Sequence, residues 1–154
     1  MKIYLASPLG FTEEGRLYIK KRLVPMLREK RFVLMDPWLE EEKKNTKNLL
    51  KSTRKEVLNV SNRNLELIRK SDIILANLNG ADQDSGTSAE IGYAYALGKT
   101  IIGYRTDFRY HNDLFNGVNA QVYTIIYRSG GKIFSNIEEA IKFVEKLKVK
   151  PHLR

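Results

Sequence analysis

Two carboxyl side chains six residues apart, Asp84 and Glu90, flank a Ser85-Gly86-Thr87 turn, and this is the clearest chemical signal in the chain. A buried-type run, Asp72-Ile73-Ile74-Leu75-Ala76-Asn77-Leu78, leads into the turn, and a small-residue helix leads out towards Gly98. The pair therefore falls at the carboxyl end of a strand, where open α/β sheets build ligand sites. Acid groups this dense suit a cationic transition state and repel phosphate. A carboxylate in the first turn of a helix is held ionised by the helix dipole and nearby amides. Placed at a crevice, such a group is a competent nucleophile towards C1 of a sugar. Glu90 also has a plainer reading, because Thr87-Ser88-Ala89-Glu90 is a capping-box pattern in which it only bonds back to Thr87. Asp84 reads either as an Asx turn ahead of Ser85-Gly86 or as a second carboxyl, kept protonated by its neighbour's charge and able to act as an acid. Asp82 reads as turn chemistry. Ser85, Gly86 and Thr87 offer hydroxyls and amides that hold a ligand oxygen.

Other candidates lie further off in sequence. Tyr4 stands among apolar neighbours, either as a core tyrosine or as a phenol that orients Glu90. Phe11 and Trp38 either wall a flat aromatic base or simply pack. Asn64, in Ser61-Asn62-Arg63-Asn64-Leu65, is a mid-helix amide of a type that usually faces solvent. Arg105, Asp107 and Arg109 form a charged group after the fourth strand. Neither Gly-x-Gly-x-x-Gly nor Gly-Lys-Ser/Thr occurs, which argues against a dinucleotide or phosphate-loop site. A phosphate near Ser7 or Arg105 stays compatible with the sequence.

These residues need a frame, and strand and helix signals alternate to provide it. Lys2 to Ala6 reads as strand one, followed by the loop Ser7-Pro8-Leu9-Gly10-Phe11. Thr12 caps a helix from Glu13 that Pro25 should kink. Phe32 to Met35 reads as strand two, stopped by Asp36-Pro37, and Trp38 to Asn48 as a charged loop or poorly packed helix. Thr53 and Glu56 form a capping box that opens a helix to about Lys70. Strand three is Asp72 to Leu78, and the helix after the acidic turn stops at Gly98, a C′ glycine. Thr100 to Tyr104 reads as strand four, and Asp107 to Gly117 as a loop with a short helical turn. Gln121 to Tyr127, rich in β-branched and aromatic residues, reads as strand five. Ser129-Gly130-Gly131 is a turn. Ser135 with Glu138 reads as a capping box for a last helix whose stripe is Ile137, Ile141, Val144 and Leu147. The alternation predicts an α/β fold, a flavodoxin-like doubly wound sheet of five mainly parallel strands in the order 2-1-3-4-5, with helices on both faces. In that order the loops Ser7 to Phe11 and Asn79 to Gly86 face each other across one crevice.

The whole chain sets bounds. Its 154 residues are expected to form a single domain over 1–154. It has no cysteine, so disulfides, thiolate metal sites and a cysteine nucleophile are excluded. Two histidines, His111 and His152, are too few for a histidine-built metal site. No metal or cofactor is expected. The start, Met1-Lys2-Ile3-Tyr4-Leu5-Ala6, is too short for a signal peptide, no apolar run approaches a membrane span, and a cytoplasmic location is expected. The formal charge of +9 suits either a nucleic-acid surface or lysine-rich solvated helix faces. The second reading is preferred, since the basic residues are dispersed and no aromatic RNA-binding strand accompanies them.

The segment Asp84-Ser85-Gly86-Thr87-x-x-Glu90-Ile91-Gly92-Tyr93-Ala94-x-Ala96-x-Gly98-Lys99, continuing to Ile102-Gly103-Tyr104-Arg105-Thr106-Asp107, resembles the nucleoside 2-deoxyribosyltransferase family. Ile3-Tyr4-Leu5-Ala6 and Asn112-Asp113-Leu114 extend the likeness over about residues 2 to 125. The resemblance implies cleavage of the N-glycosidic bond of 2′-deoxynucleosides through a covalent deoxyribosyl-enzyme, with transfer to a free nucleobase. It also implies a homo-oligomer with sites near subunit contacts. Glu90 matches the nucleophile, Asp84 the acid that protonates the leaving base, and Tyr4 the phenol that orients the nucleophile. Asn112 matches an amide lent by a neighbouring subunit to the sugar. The expected substrate-binding set is Ser7, Gly10, Phe11 and Asn64 with Ser85, Gly86, Thr87 and Asn112. A family carboxylate on the second helix is replaced by Asn64, and the tail Lys148 to Arg154 shows no match to the family's chain end. The alternative within the family is a hydrolase of deoxynucleosides or their 5′-monophosphates, with water as acceptor. A non-catalytic nucleotide sensor and an RNA-binding basic domain are the readings from other classes.

Overall fold

A computed structural model of the chain describes residues 1–39, 53–109 and 117–147. Asn112, His111, His152, the tail Lys148 to Arg154, most of the Trp38 to Asn48 segment and the helical turn expected before Gly117 lie outside the described residues.

Five strands form one sheet: β1 (Lys2–Ala6), β2 (Val33–Met35), β3 (Ile73–Asn77), β4 (Thr100–Tyr104) and β5 (Ile133–Phe134). The order is β2-β1-β3-β4-β5 and every neighbouring pair is parallel. The helices are α1 (Glu13–Tyr18), α2 (Val24–Glu29), α3 (Arg54–Lys70), α4 (Ser85–Ala96), α5 (Ala120–Arg128) and α6 (Ile137–Lys146). Strand side chains alternate between two cores. Ile3, Leu5, Ile73, Leu75, Ile102 and Tyr104 pack with α1, α2 and α6. Tyr4, Ala6, Ile74, Ala76, Leu78 and Ile101 pack with Ile68 of α3, Ile91 and Ala94 of α4 and Val122 and Ile126 of α5. Both faces of the sheet are thus covered, which is why the strands read as continuous apolar runs.

Three expectations are corrected. Gln121 to Tyr127 is not a strand but part of α5. Its β-branched and aromatic residues favour extended chain, yet Asn119 accepts from the amides of Gln121 and Val122 at the helix start. Val122 and Ile126, four residues apart, then bury against the sheet, so tertiary packing overrides propensity. The fifth strand is the short Ile133–Phe134, following the Ser129 to Gly131 turn. The last helix is capped by Asn136, whose Oδ1 accepts from the Glu139 amide at 2.8 Å, rather than by Ser135 with Glu138. The kink expected at Pro25 takes the form of a π-helical turn, Ile19–Leu23, between α1 and α2, in which the Val24 amide donates to the Ile19 carbonyl five residues back. The wider turn absorbs the amide that proline lacks. The Thr12 cap, the Thr53–Glu56 capping box and the Gly98 stop (φ 70°) are as expected.

Lys99, just past that stop, is 5% exposed, and its ammonium donates to the carbonyls of Arg69 and Ser71 at 2.9 and 2.7 Å. It joins the ends of α3 and α4 at the edge of the sheet opposite the crevice.

Asn119→Ala should lower stability by about 1 kcal/mol in urea unfolding, whereas Asn119→Asp should be nearly neutral. Equal stability of all three proteins would show that α5 does not depend on this cap.

Candidate active site

The sheet order reverses beside β1, and the loops after β1 and β3 open there into a cleft of about 360 Å³. Ser7 and Phe11 line one side. Asp84, Ser85, Gly86, Thr87 and Glu90 line the other, Asn64 and Val60 come from α3, and Leu5, Pro37 and Trp38 complete the wall.

Asp84 caps α4. Its Oδ2 accepts from the Thr87 amide at 2.6 Å and from the Thr87 hydroxyl at 2.9 Å. The helix therefore begins at Ser85, and Glu90 sits in its second turn rather than its first. The Thr87–Glu90 capping box does not form. Glu90 instead accepts, through Oε1, the phenolic O–H of Tyr4 at 2.6 Å, a bond that reaches from the core strand β1 to α4. The expectation that the helix start holds Glu90 ionised is corrected with it. Burial pushes the Glu90 carboxyl up to about 7, the Asp84 charge adds to the rise, and only the Tyr4 bond opposes it. Tyr4 is fully buried, and burial together with the adjacent Glu90 raises its phenol well above the ordinary 10.0. It is a proton donor to Glu90 throughout the physiological range.

The opposite wall is aromatic. Phe11 meets Trp38 edge-on, with ring centroids 4.6 Å apart, and the Trp38 indole N–H donates to the Ser7 carbonyl at 3.1 Å. Gly10 does not line the cleft; it lies beneath the indole, where a Cβ would come within 1.9 Å of the ring. Its lack of a side chain is what seats Trp38. Asn64 does face the cleft, and its Oδ1 is buried without a hydrogen-bond partner among the described residues. A ligand donor is what this oxygen lacks.

Arg105, considered above for a phosphate, donates to the carbonyls of Leu78 and Gly80 and braces the β3 loop. Asp107 and Arg109 pair with each other. Among the described residues no cluster of three His, Cys, Asp or Glu side chains could hold a metal ion, and no helix is long and apolar enough to cross a membrane. Sequence reasoning missed Leu5, Pro37 and Val60. The four-residue spacing from Val60 to Asn64 places both on one face of α3 and was a readable sign. Pro37 follows the end of β2, beside the end of β1.

Sheet and cleft together define a flavodoxin-like α/β protein with paired carboxyl groups at the switch point. The chain belongs to the nucleoside 2-deoxyribosyltransferase family, whose model matches residues 3–142. The family is one of enzymes, transferases that act on nucleosides. A 2-deoxyribosyltransferase from Bacillus psychrosaccharolyticus is 26% identical, with a TM-score of 0.66 over 99% of this chain and 100% of that one. The fold is shared with a 2-deoxyribosyltransferase from Leishmania mexicana (24% identity, TM-score 0.67, 99% of both chains). It is also shared with a CMP N-glycosidase from Clostridium botulinum (18% identity, TM-score 0.58, 94% of this chain and 98% of that one). No curated protein sequence matches at a significant level.

Two predictions follow from the geometry. A carboxyl whose folded pKa is raised binds its proton more tightly when folded, so its ionisation destabilises the fold as pH climbs from about 4.5 to above 7. Glu90→Gln keeps an acceptor for Tyr4 and abolishes the charge. It should be more stable than the parent at pH 8, by on the order of 2 kcal/mol, and show no such gain at pH 4. Identical pH–stability curves would contradict the buried-carboxyl assignment. Gly10→Ala should displace the single tryptophan, seen as a red-shifted emission maximum; an unchanged spectrum would show that the ring is not seated on Gly10.

Proposed function

We propose that the protein is a nucleoside 2-deoxyribosyltransferase that works through a covalent deoxyribosyl–Glu90 intermediate. The observation that carries this reading is the Tyr4–Glu90 hydrogen bond, which aims a half-buried carboxyl into a cleft shared with Asp84. A Glu90 oxygen forms a bond to C1′ as the C1′–N bond breaks, and the bonding electrons leave with the base. The proton that the base takes comes from Asp84. Both Thr87 bonds fall on Oδ2 of that residue, which leaves Oδ1 outside the helix cap. A second base then attacks C1′, the ester to Glu90 breaks, and Asp84 takes back a proton from the incoming ring nitrogen. A 2-deoxy sugar, lacking the electron-withdrawing hydroxyl beside C1′, reaches its oxocarbenium-like transition state more readily. No cofactor is required.

Phe11 and Trp38 bound the plane of the base, and Asn64 meets its edge as a neutral amide that reads hydrogen bonds without donating an acidic proton. Ser85, Gly86 and Thr87 hold the sugar. The acid at Asp84 favours a neutral 5′ end over a 5′-phosphate. Completion of the site by Asn112 of a second copy, in a cytoplasmic homo-oligomer, belongs to the same proposal.

Mass spectrometry of the protein mixed with a 2′-deoxynucleoside should show a deoxyribose adduct on Glu90. Glu90→Ala should abolish it and lower turnover more than about 1,000-fold. With a second free base present, base exchange should exceed release of free deoxyribose; the reverse would identify a hydrolase. Turnover undiminished in Glu90→Ala would overturn the proposal. The kcat/KM should rise with pH through about 7, as Glu90 loses its proton. Tyr4→Phe should move that midpoint upward, since the phenol bond is what opposes the burial shift. A midpoint unmoved by Tyr4→Phe would remove Tyr4 from the mechanism.

A further inference from the structure

A second cleft, of about 350 Å³, opens on the other face of the sheet at the carboxyl ends of β3 and β4. Tyr18, Asn77, Tyr104, Thr106 and Asn136 are among its lining residues, and Leu9 forms part of its wall. The one-turn 3₁₀ helix Pro8–Phe11 stands between the two clefts, with Leu9 in this one and Phe11 in the other.

Its polar groups are arranged with a bias. Asn77 is oriented by the Asn79 amide, which donates to its Oδ1 at 2.9 Å, so its Nδ2 must face Tyr104 and donate to the phenol oxygen, also at 2.9 Å. Tyr104 is therefore an acceptor in its one protein bond. Its own hydrogen has no acceptor among the described residues, although the residue is 1% exposed. A buried O–H left in this state lacks a partner that a ligand can supply. At the exposed mouth, the Thr106 hydroxyl oxygen accepts from Asn79 Nδ2, leaving its hydrogen to donate. Asn136 spends its Oδ1 on the Glu139 amide, leaving the donor end of its side chain. At the rim Arg22 pairs with Glu138, so no uncompensated charge is present there.

We infer that this cleft is a second binding site, for a neutral heterocycle carrying ring carbonyl oxygens, such as an oxo-nucleobase. The donors of Tyr104, Thr106 and Asn136, gathered in one lining, match carbonyl acceptors. The ring N–H groups that accompany those carbonyls can meet acceptors in the same lining, the Glu138 carboxylate and the Tyr18 phenol oxygen, and the balanced rim gives no counter-charge to an anion. The identification of the heterocycle with a free nucleobase rests on the proposed function, in which such a base is both product and co-substrate.

Protein labelled with ¹³C in its tyrosine rings separates the two sites, because Tyr4 reports the first cleft and Tyr104 and Tyr18 the second. Titration with uracil or hypoxanthine should shift Tyr104 and Tyr18 saturably, in the parent and in Glu90→Ala alike. Adenine, which has no carbonyl, should leave them in place. Thr106→Val and Tyr104→Phe should each weaken the remaining second-cleft response at least five-fold, with Tyr4 shifting as before. Shifts confined to Tyr4 would overturn the second site while leaving the proposed function standing. A response of Tyr104 to inorganic phosphate or deoxyribose but not to the oxo-bases would overturn the ligand class. Second-cleft binding of oxo-bases by a protein that forms no deoxyribose adduct would uphold the site and reject the catalytic proposal.

Discussion

The hydrogen bond from Tyr4 to Glu90 is the constraint on which the rest of the arrangement hangs. It reaches from a central strand to the second turn of α4, and it forms only because β1 and β3 are neighbours with α4 packed over them. The carboxyl is thereby fixed in direction and partly shielded from water. The two effects act oppositely on its proton, the phenol favouring the anion and burial favouring the acid, and burial is the larger. An isolated glutamate of this kind would be a structural liability. Its presence is understandable where a reaction gains from a carboxylate that is poorly solvated and already aimed.

The helix that carries Glu90 shows how one short segment divides its labour. Asp84 takes the amide and hydroxyl of Thr87, satisfying the start of α4. Glu90 is left without a capping role and turns to Tyr4. Had Glu90 closed a cap on Thr87, the helix would have begun after Thr87 and Glu90 would have faced backbone in place of the Tyr4 phenol. The aromatic wall opposite is assembled with comparable economy: a missing side chain at Gly10 admits the indole, and the Ser7 carbonyl fixes its rotation.

Most of the fold was legible because it is written in alternation. Apolar runs bounded by Pro, Asp and Gly gave four of the strands nearly to the residue, and the strand order followed from five strands alternating with helices up to the fourth. The fifth strand was misplaced because Val122, Thr124, Ile125 and Ile126 carry strand propensity, while the single cue to a helix, Asn119 ahead of an apolar pair four apart, is local and weak. In the site, the residues of one turn were legible as a group, since short-range spacing fixes their relation. What was not legible was which residue would cap the helix, for Asp84 and Thr87 are both good N-cap types. That choice moves the helix start by a few residues and decides the electrostatic environment of Glu90. Walls contributed from a distance, such as Trp38 over Gly10, depend on loop packing that no period encodes.

Lys99 gives the molecule a mechanical property. With its ammonium embedded between the last carbonyls of α3 and the Ser71 carbonyl, it pins together the tails of the two helices whose opposite reaches carry Asn64 on one side and Asp84 and Glu90 on the other. The helices then resemble the arms of tweezers joined at the base. The rivet lies on the far rim from the cleft, so it ties the two helices together without occupying the site.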